Sequence, residues 1–532
     1  MVKDEFPIAS LTRRSFSVSV GAGLAALIAR PAFASPPVVK TSAGLLRGRC
    51  EQGVHIFGGI SYGASTAGKN RFAAPQPPTP WRGVRDALGF GLRSPQLPDG
   101  GGGPDYSSWR EPMASGEDCL SLNVWTTGLD SSAKRPVMVW LHGGGLSVGS
   151  GATPTTDGRN LARRQDVVVV SVNHRLNLFG YLYFGDLVRD ESVVANPGQL
   201  DLVAALQWVR DNIAEFGGNP DNVTIFGHSG GGLKVAGLMA MPAAKGLFHR
   251  AILQSGFGTV TVAPQDGKRI AAGLCKALQI NPTDISALRA VPVDRLLAAL
   301  QTATGGHPML GPGLVPDGTI IAQAPFGSGL PTISPDIPVM VGHTSAETTV
   351  LFPPPGAFDL QWDSLPAALE GRVRASAPLI DGFRKLRPNA TPSDLFFAIT
   401  TEASMGRNAR TVAEARATGA RKPVFAYLVN WNSPAQGGRL RSPHGVEVPM
   451  VFDTVTEAYA TVGERMANAQ QLADNMSSYW ANFARSGNPN SDCLGPWPAY
   501  DQQRRATMVF DTQSALQDDP LGAEQALIAQ HA

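Results

Sequence analysis

The chain has 532 residues, 43% of them hydrophobic and 17% charged, a balance that excludes a disordered chain. Its 45 Lys and Arg against 43 Asp and Glu leave a net charge of +2, which excludes gross electrostatic affinity for nucleic acid or an anionic membrane. Four cysteines in this length exclude a disulfide scaffold, and 59 glycines with 42 prolines require many loops.

The N-terminus reads as an address. Arg13-Arg14 in TRRSF precedes an apolar stretch over residues 18–29, and Ala32-Phe33-Ala34 then forms an A-x-A site before Ser35. Basic, apolar and small-residue regions in that order predict a secretory signal over residues 1–34. The arginine pair points to the twin-arginine route, so the export machinery is an expected partner and the destination is the periplasm or the medium. The apolar stretch is too short to span a bilayer, and no later uninterrupted apolar run reaches about eighteen residues, so no membrane span is expected. Stretches such as 100–104 (GGGGP), 305–316 and 352–356 (FPPPG) are loops too short to be domain linkers. Residues 35–532 are therefore expected to form one domain with loop insertions.

The middle of the chain alternates strand and helix. Residues 137–141 (VMVWL) and 167–172 (VVVVSV) are continuous apolar runs that suit parallel strands covered on both faces. Residues 201–216 carry Leu202, Leu206, Val209, Ile213 and Phe216 at helical spacing. A strand over 223–226 (VTIF), a helix over 233–240 and a short strand from 251 follow. This order predicts a doubly wound α/β fold, a central mostly parallel sheet flanked by helices, with its site beyond the carboxyl ends of the strands.

Two of these strand ends carry chemistry. The strand VTIF runs into Gly227-His228-Ser229-Gly230-Gly231, a G-x-S-x-G between strand and helix. That context suits a nucleophile elbow, where side chains must vanish for strand and helix to approach and the serine projects from a strained turn. Alone, the motif also fits a glycine-rich turn with a capping serine. The strand VMVWL ends in His142-Gly143-Gly144-Gly145, whose alternative reading is a mobile surface loop. Beside Ser229 it reads as an oxyanion hole, with the N–H groups of Gly144, Gly145 and Gly230 as its donors.

With these motifs in place the chain resembles the type-B carboxylesterases, the group of bacterial para-nitrobenzyl esterases, liver carboxylesterases and cholinesterases. The resemblance runs along nearly all of residues 35–532. It begins with 54–62 (VHIFGGISY), Asn70-Arg71-Phe72 and Pro80-Trp81, and includes 116–125 (GEDCLSLNVW), a specific signature. It continues through 173–180 (NHRLNLFG), 211–216 (DNIAEF) and 250–256 (RAILQSG), and closes with Asn488-Pro489-Asn490 and 497–500 (WPAY). The resemblance implies an α/β-hydrolase catalytic domain, a small-molecule ester substrate and a Ser-Glu-His triad in that chain order.

Among nine histidines the residues alone leave several bases open, including His142, His307 and His343. The resemblance selects His444, in SPHGVEVPMVF. It places the acid at Glu347, in GHTSAETTVLF, although the family commonly has Asp-Glu-Gly where this chain has Ala346-Glu347-Thr348. Glu447 is the other carboxylate in reach of the histidine loop, and the resemblance suggests that it joins Ser255 in a network beneath the triad. The expected activity is hydrolysis of carboxylic esters through an acyl-enzyme on Ser229, with His444 as base and Glu347 as the orienting acid. The same triad serves a hydrolase of another acyl bond, such as an amide, carbamate or lactone. Non-catalytic binding proteins of the superfamily lose a triad residue, whereas all three are present here.

No histidine or carboxylate cluster has metal-ligand spacing, so no metal is expected, and the chemistry needs no cofactor. Where many relatives form a disulfide to the cysteine at Cys119, the facing position is Ser94, so all four cysteines are expected as free thiols. His228 stands where many relatives have Glu, and a packing role is expected for it. The resemblance pairs Arg71 with Glu117 and Arg175 with Asp201 as structural ion pairs. Trp109 is a candidate for the substrate pocket.

Overall fold

Strong β-formers on two-sided apolar runs produce the strands, and their ends place the site. The computed structural model describes residues 35–97, 114–306, 311–327, 329–351, 353–464, 466–492 and 494–531. The signal expected over residues 1–34, Trp109, His307 and Cys493 lie outside the described residues. In chain order the strands are β1 Val38–Lys40, β2 Leu45–Arg47, β3 Arg49–Glu51, β4 Val54–Ser61, β5 Val84–Asp86, β6 Ser121–Thr126 and β7 Arg135–Leu141. There follow β8 Val168–Val172, β9 Gly218–His228, β10 Arg250–Gln254, β11 Val339–Thr344, β12 Val424–Val429, β13 Ala506–Phe510 and β14 Ala515–Asp518.

Strands β1, β2 and β5 make a small sheet, and the other eleven form one large sheet in the order β14-β13-β12-β11-β10-β9-β7-β8-β6-β4-β3. From β8 through β13 every neighbouring pair is parallel; the strands at both margins run antiparallel. The apolar run of β7 shows why. Val137, Val139 and Leu141 point into one core, and Met138 and Trp140 into a second core on the opposite face. Helices cover both faces, as a sheet apolar on both sides requires. Contacts divide the chain after Pro36, and Pro37–Ala532 forms one compact unit.

Element boundaries moved where packing overrode local preference. The helix expected over 201–216 begins earlier, as Pro197–Asn212 with proline in its first turn, and closes in a 3-10 turn over Ile213–Phe216. The helix expected over 233–240 spans Gly230–Met239 and so takes in Gly230, Gly231 and Gly232 at its start, residues of poor helix propensity. Those glycines are needed by the turn that precedes them. The strand expected over 223–226 extends to Gly218–His228.

Both ion pairs are present. Arg71 grips Glu117 with two bonds of 2.5 and 2.7 Å, and Arg175 grips Asp201 with two of 2.8 and 2.6 Å in a fully buried setting. Cys50, Cys119 and Cys275 are free thiols. Burial pushes the Cys119 thiol up to about 12, and the Ser94 side chain hydrogen-bonds to it. Among the described residues no helix is long and apolar enough to cross a membrane, and no three or more His, Cys, Asp or Glu gather as metal ligands.

Candidate active site

Five adjacent parallel strands, β7, β9, β10, β11 and β12, deliver the candidate residues from their carboxyl ends. The glycine loop follows β7, Ser229 follows β9, Ser255 follows β10, Glu347 follows β11, and His444 lies in the segment after β12. The strand ends are level, with Leu141 beside Gly227, Gly227 beside Leu253, His228 beside Gln254, and Gln254 beside Gly342.

Ser229 occupies a turn that few non-glycine residues adopt, with φ 58° and ψ −120°. The turn holds because its surroundings leave no alternative. The Ser229 N–H donates to the Gln254 carbonyl at 2.8 Å. A Cβ on Gly230 would lie 2.0 Å from the Gly145 carbonyl oxygen, and one on Gly231 would lie 1.9 Å from that of Leu141. The elbow glycines are therefore steric requirements, and the helix Gly230–Met239 is pressed onto the glycine loop. Gly144 and Gly145 have φ of 85° and 62°, and among the described residues no acceptor takes the N–H of Gly144, Gly145 or Gly230. These N–H groups lie beside the Ser229 turn at the positive end of a helix.

Glu347 is fully buried, and its two oxygens do different work. Oε2 accepts from His444 Nδ1, in a contact that makes Nε2 the basic nitrogen of that ring. Oε1 accepts from the Ser255 hydroxyl at 2.6 Å and from the Thr344 N–H at 2.7 Å. Burial alone would push this carboxyl up. The neighbouring His444 charge and the bonds from His444, Ser255 and Thr344 outweigh it and hold the carboxyl below its ordinary range. The group stays ionised at neutral pH.

His228 does more than fill space. Its ring centroid is 4.2 Å from that of His444, which ties the elbow to the histidine loop, and its Nε2 is 3.9 Å from Glu447 Oε1. Burial, reinforced by His444, pushes His228 well below the ordinary imidazole range, so it is neutral. The expected network beneath the triad divides in two: Ser255 binds Glu347, whereas Glu447 faces His228 and makes no bond to Ser255 among the described contacts. Burial raises the Glu447 carboxyl to about 8, with the Glu347 charge acting in the same direction.

That shift has a sign. A carboxyl whose folded pKa lies above its unfolded value stabilises the fold in its protonated form, and this stability is lost as pH rises from the unfolded value of about 4.5 through about 8. Glu447→Gln removes the loss. Denaturation midpoints of the variant are expected to match the wild type near pH 4 and to exceed it above pH 8.

The other candidate bases sit elsewhere. His343 Nε2 pairs with Glu402 at 3.1 Å, and His142 stacks on His174 with its Nδ1 against the Gly143 carbonyl. A cleft of ≈ 960 Å³ opens away from the candidate residues, between Phe326 and the Arg407–Gly419 helix. Sequence reasoning passed over Lys234, a cation within the apolar run after the elbow. It is fully buried, and its Nζ donates to the His142 carbonyl at 2.9 Å.

The family model for the carboxylesterase family matches residues 35–527. The chain belongs to the carboxylesterase family. It is similar to the para-nitrobenzyl esterase of Bacillus subtilis (strain 168), with 35% identity over 500 residues, covering 91% of this chain and 96% of that one. It is also similar to phenmedipham hydrolase of Pseudarthrobacter oxydans, at 33% identity with 90% and 96% coverage. Among solved structures, a Geobacillus stearothermophilus carboxylesterase superposes with a TM-score of 0.81 at 34% identity, covering 92% of this chain and 99% of that one. This carboxylesterase-family chain therefore has the α/β-hydrolase fold.

Proposed function

We propose that the protein is an exported serine carboxylesterase that cleaves carboxylic esters through an acyl-enzyme on Ser229. The observation that carries this reading is the buried contact of Glu347 with His444, whose ring packs 4.2 Å from that of His228, the residue before a serine held at φ 58° on a strand-to-helix turn. His444 Nε2 takes the serine proton as the hydroxyl attacks the ester carbonyl. The oxyanion forms against the N–H groups of Gly144, Gly145 and Gly230, each such donor contributing about 3 kcal/mol. The imidazolium, stabilised by ionised Glu347, then protonates the leaving alcohol, and water repeats the sequence on the acyl-enzyme. No step calls on a metal or cofactor.

The reaction class is tested with p-nitrophenyl esters from acetate to palmitate beside matched p-nitroanilides. Turnover of the esters with the anilides slower by orders of magnitude supports an esterase. Comparable anilide turnover favours hydrolysis of another acyl bond, and no turnover of either favours a binding protein. Export rests on Arg13-Arg14 and the A-x-A site before Ser35. A reporter fused after residues 1–34 is expected to be exported, and Arg13→Lys with Arg14→Lys to retain it in the cytoplasm; export unchanged by the pair contradicts the twin-arginine reading.

A further inference from the structure

A fully buried lysine is expensive, because an ammonium needs three acceptors and normally a carboxylate. Lys234 has neither. Its Nζ donates to one carbonyl, that of His142 at 2.9 Å, and among the described residues no carboxylate pairs with it. The titratable groups around it are the stacked rings of His142 and His174, 5.1 Å apart, with the Tyr181 ring edge-on to His174 and the Arg175–Asp201 pair beyond. Burial pushes the Lys234 amine well below its ordinary range, and burial together with Lys234 depresses both histidines. A single acceptor suits a group whose charged form burial disfavours.

The amine points at a particular peptide. Its acceptor belongs to the residue immediately before Gly143-Gly144-Gly145, and its own Cα lies on the helix that starts next to Ser229. The far part of that loop is held by other groups, Gln96 on both polar atoms of the Gly149 backbone and Asn177 on the Ser147 carbonyl. At the near end Gly231 sits so close that a Cβ would lie 3.0 Å from the His142 carbonyl oxygen. That contact is steric and sets no orientation. The hydrogen bond from Lys234 does, because it fixes the His142–Gly143 peptide plane from which the loop departs. We infer that Lys234 is a positioning residue that ties the nucleophile's helix to the oxyanion loop and holds the N–H groups of Gly144 and Gly145 in register with Ser229. This deepens the esterase reading and rests on it.

The test is Lys234→Met, which keeps the stem and removes the amine. Active sites are first counted by stoichiometric release from diethyl p-nitrophenyl phosphate, so that misfolded molecules drop out of the rate. Failure of the wild type to titrate would overturn the Ser229 reading itself and is distinct from any outcome for Lys234. Per titrated site, kcat is expected to fall ten- to hundredfold, roughly the effect of a small misplacement of catalytic groups, with KM within about twofold. The Ki of phenylethylboronic acid, a tetrahedral mimic, is expected to rise by the same factor. A residue that only stabilises the fold would lower the yield of titratable sites and leave kcat and Ki per site unchanged, and that result overturns the proposal. A second readout needs no variant. In wild type labelled at lysine Cε, one resonance is expected to titrate well below the others, and boronate binding is expected to move it. Lysines that all titrate together, or a low-titrating one that boronate does not move, contradict the assignment.

Discussion

Replacing Ser229 by alanine is expected to lower kcat on p-nitrophenyl acetate by about 10⁶-fold, with the protein folded and KM little changed. The size follows from what the hydroxyl does. Without it no acyl-enzyme forms, His444 has no alcohol to deprotonate, and only the oxyanion donors and substrate binding remain, a residue of about 10³- to 10⁴-fold over water. The fold should tolerate the change. The Ser229 side chain caps no backbone group of the helix that follows, and the alanine keeps the backbone N–H that bonds to Gln254. The cost is confined to the left-handed turn, where alanine is no worse than serine in bulk. Circular dichroism and thermal midpoint are read on the same samples. A loss of activity matched by a loss of structure would point to the elbow's geometry and away from the hydroxyl.

Glu347→Gln is expected to lower kcat by about 10⁴-fold at neutral pH, again without unfolding. The argument is one of donor and acceptor. Oε1 of Glu347 accepts two bonds, from the Ser255 hydroxyl and the Thr344 N–H, so the amide oxygen of glutamine takes that place. Its NH₂ must then face His444 Nδ1. Two donors cannot meet, so the ring keeps Nδ1 unprotonated and carries its proton on Nε2, the nitrogen that has to accept from Ser229. The substitution also removes the negative charge that stabilises the imidazolium. Because the defect is a tautomer, rate is expected to recover partly at high pH, where hydroxide substitutes for the base. A pH–rate profile checks this: parallel profiles for variant and wild type, offset by less than tenfold, would show that Glu347 does not orient the base.

The glycines, the serine and the strand-and-helix alternation could be read from the sequence because each is a local pattern. An apolar run such as VMVWL favours a strand covered on both faces, and G-x-S-x-G between a strand and a helix favours a tight turn. The pairing of Glu347 with His444 is not local, since 97 residues separate them and nine histidines compete. Only the resemblance to a family joined them. His228 shows the limit of that route. A packing role is expected there, and nothing local in the sequence signals its neutral ring against His444 or its approach to Glu447. Helix starts differ for a physical reason too: the glycines after Ser229 look like a loop by propensity, yet they open the helix, and a Cβ there would strike Gly145 from Gly230, Leu141 from Gly231 and Gly256 from Gly232. Lys234 had a signal, a lone cation in GGGLKVAGLMA, but its target is a backbone carbonyl 92 residues away, which no side-chain pattern encodes.

The central claim is that a substrate acyl group is transferred to Ser229. The direct measurement is mass spectrometry of the enzyme quenched in acid within milliseconds of mixing with p-nitrophenyl acetate, followed by sequencing of the modified peptide. An acetyl group on Ser229, absent when the mixture is quenched after turnover is complete and absent in Ser229→Ala, is the expected result. An enzyme that turns over the ester with Ser229 unmodified throughout, or with the acetyl group on another residue, would contradict the account.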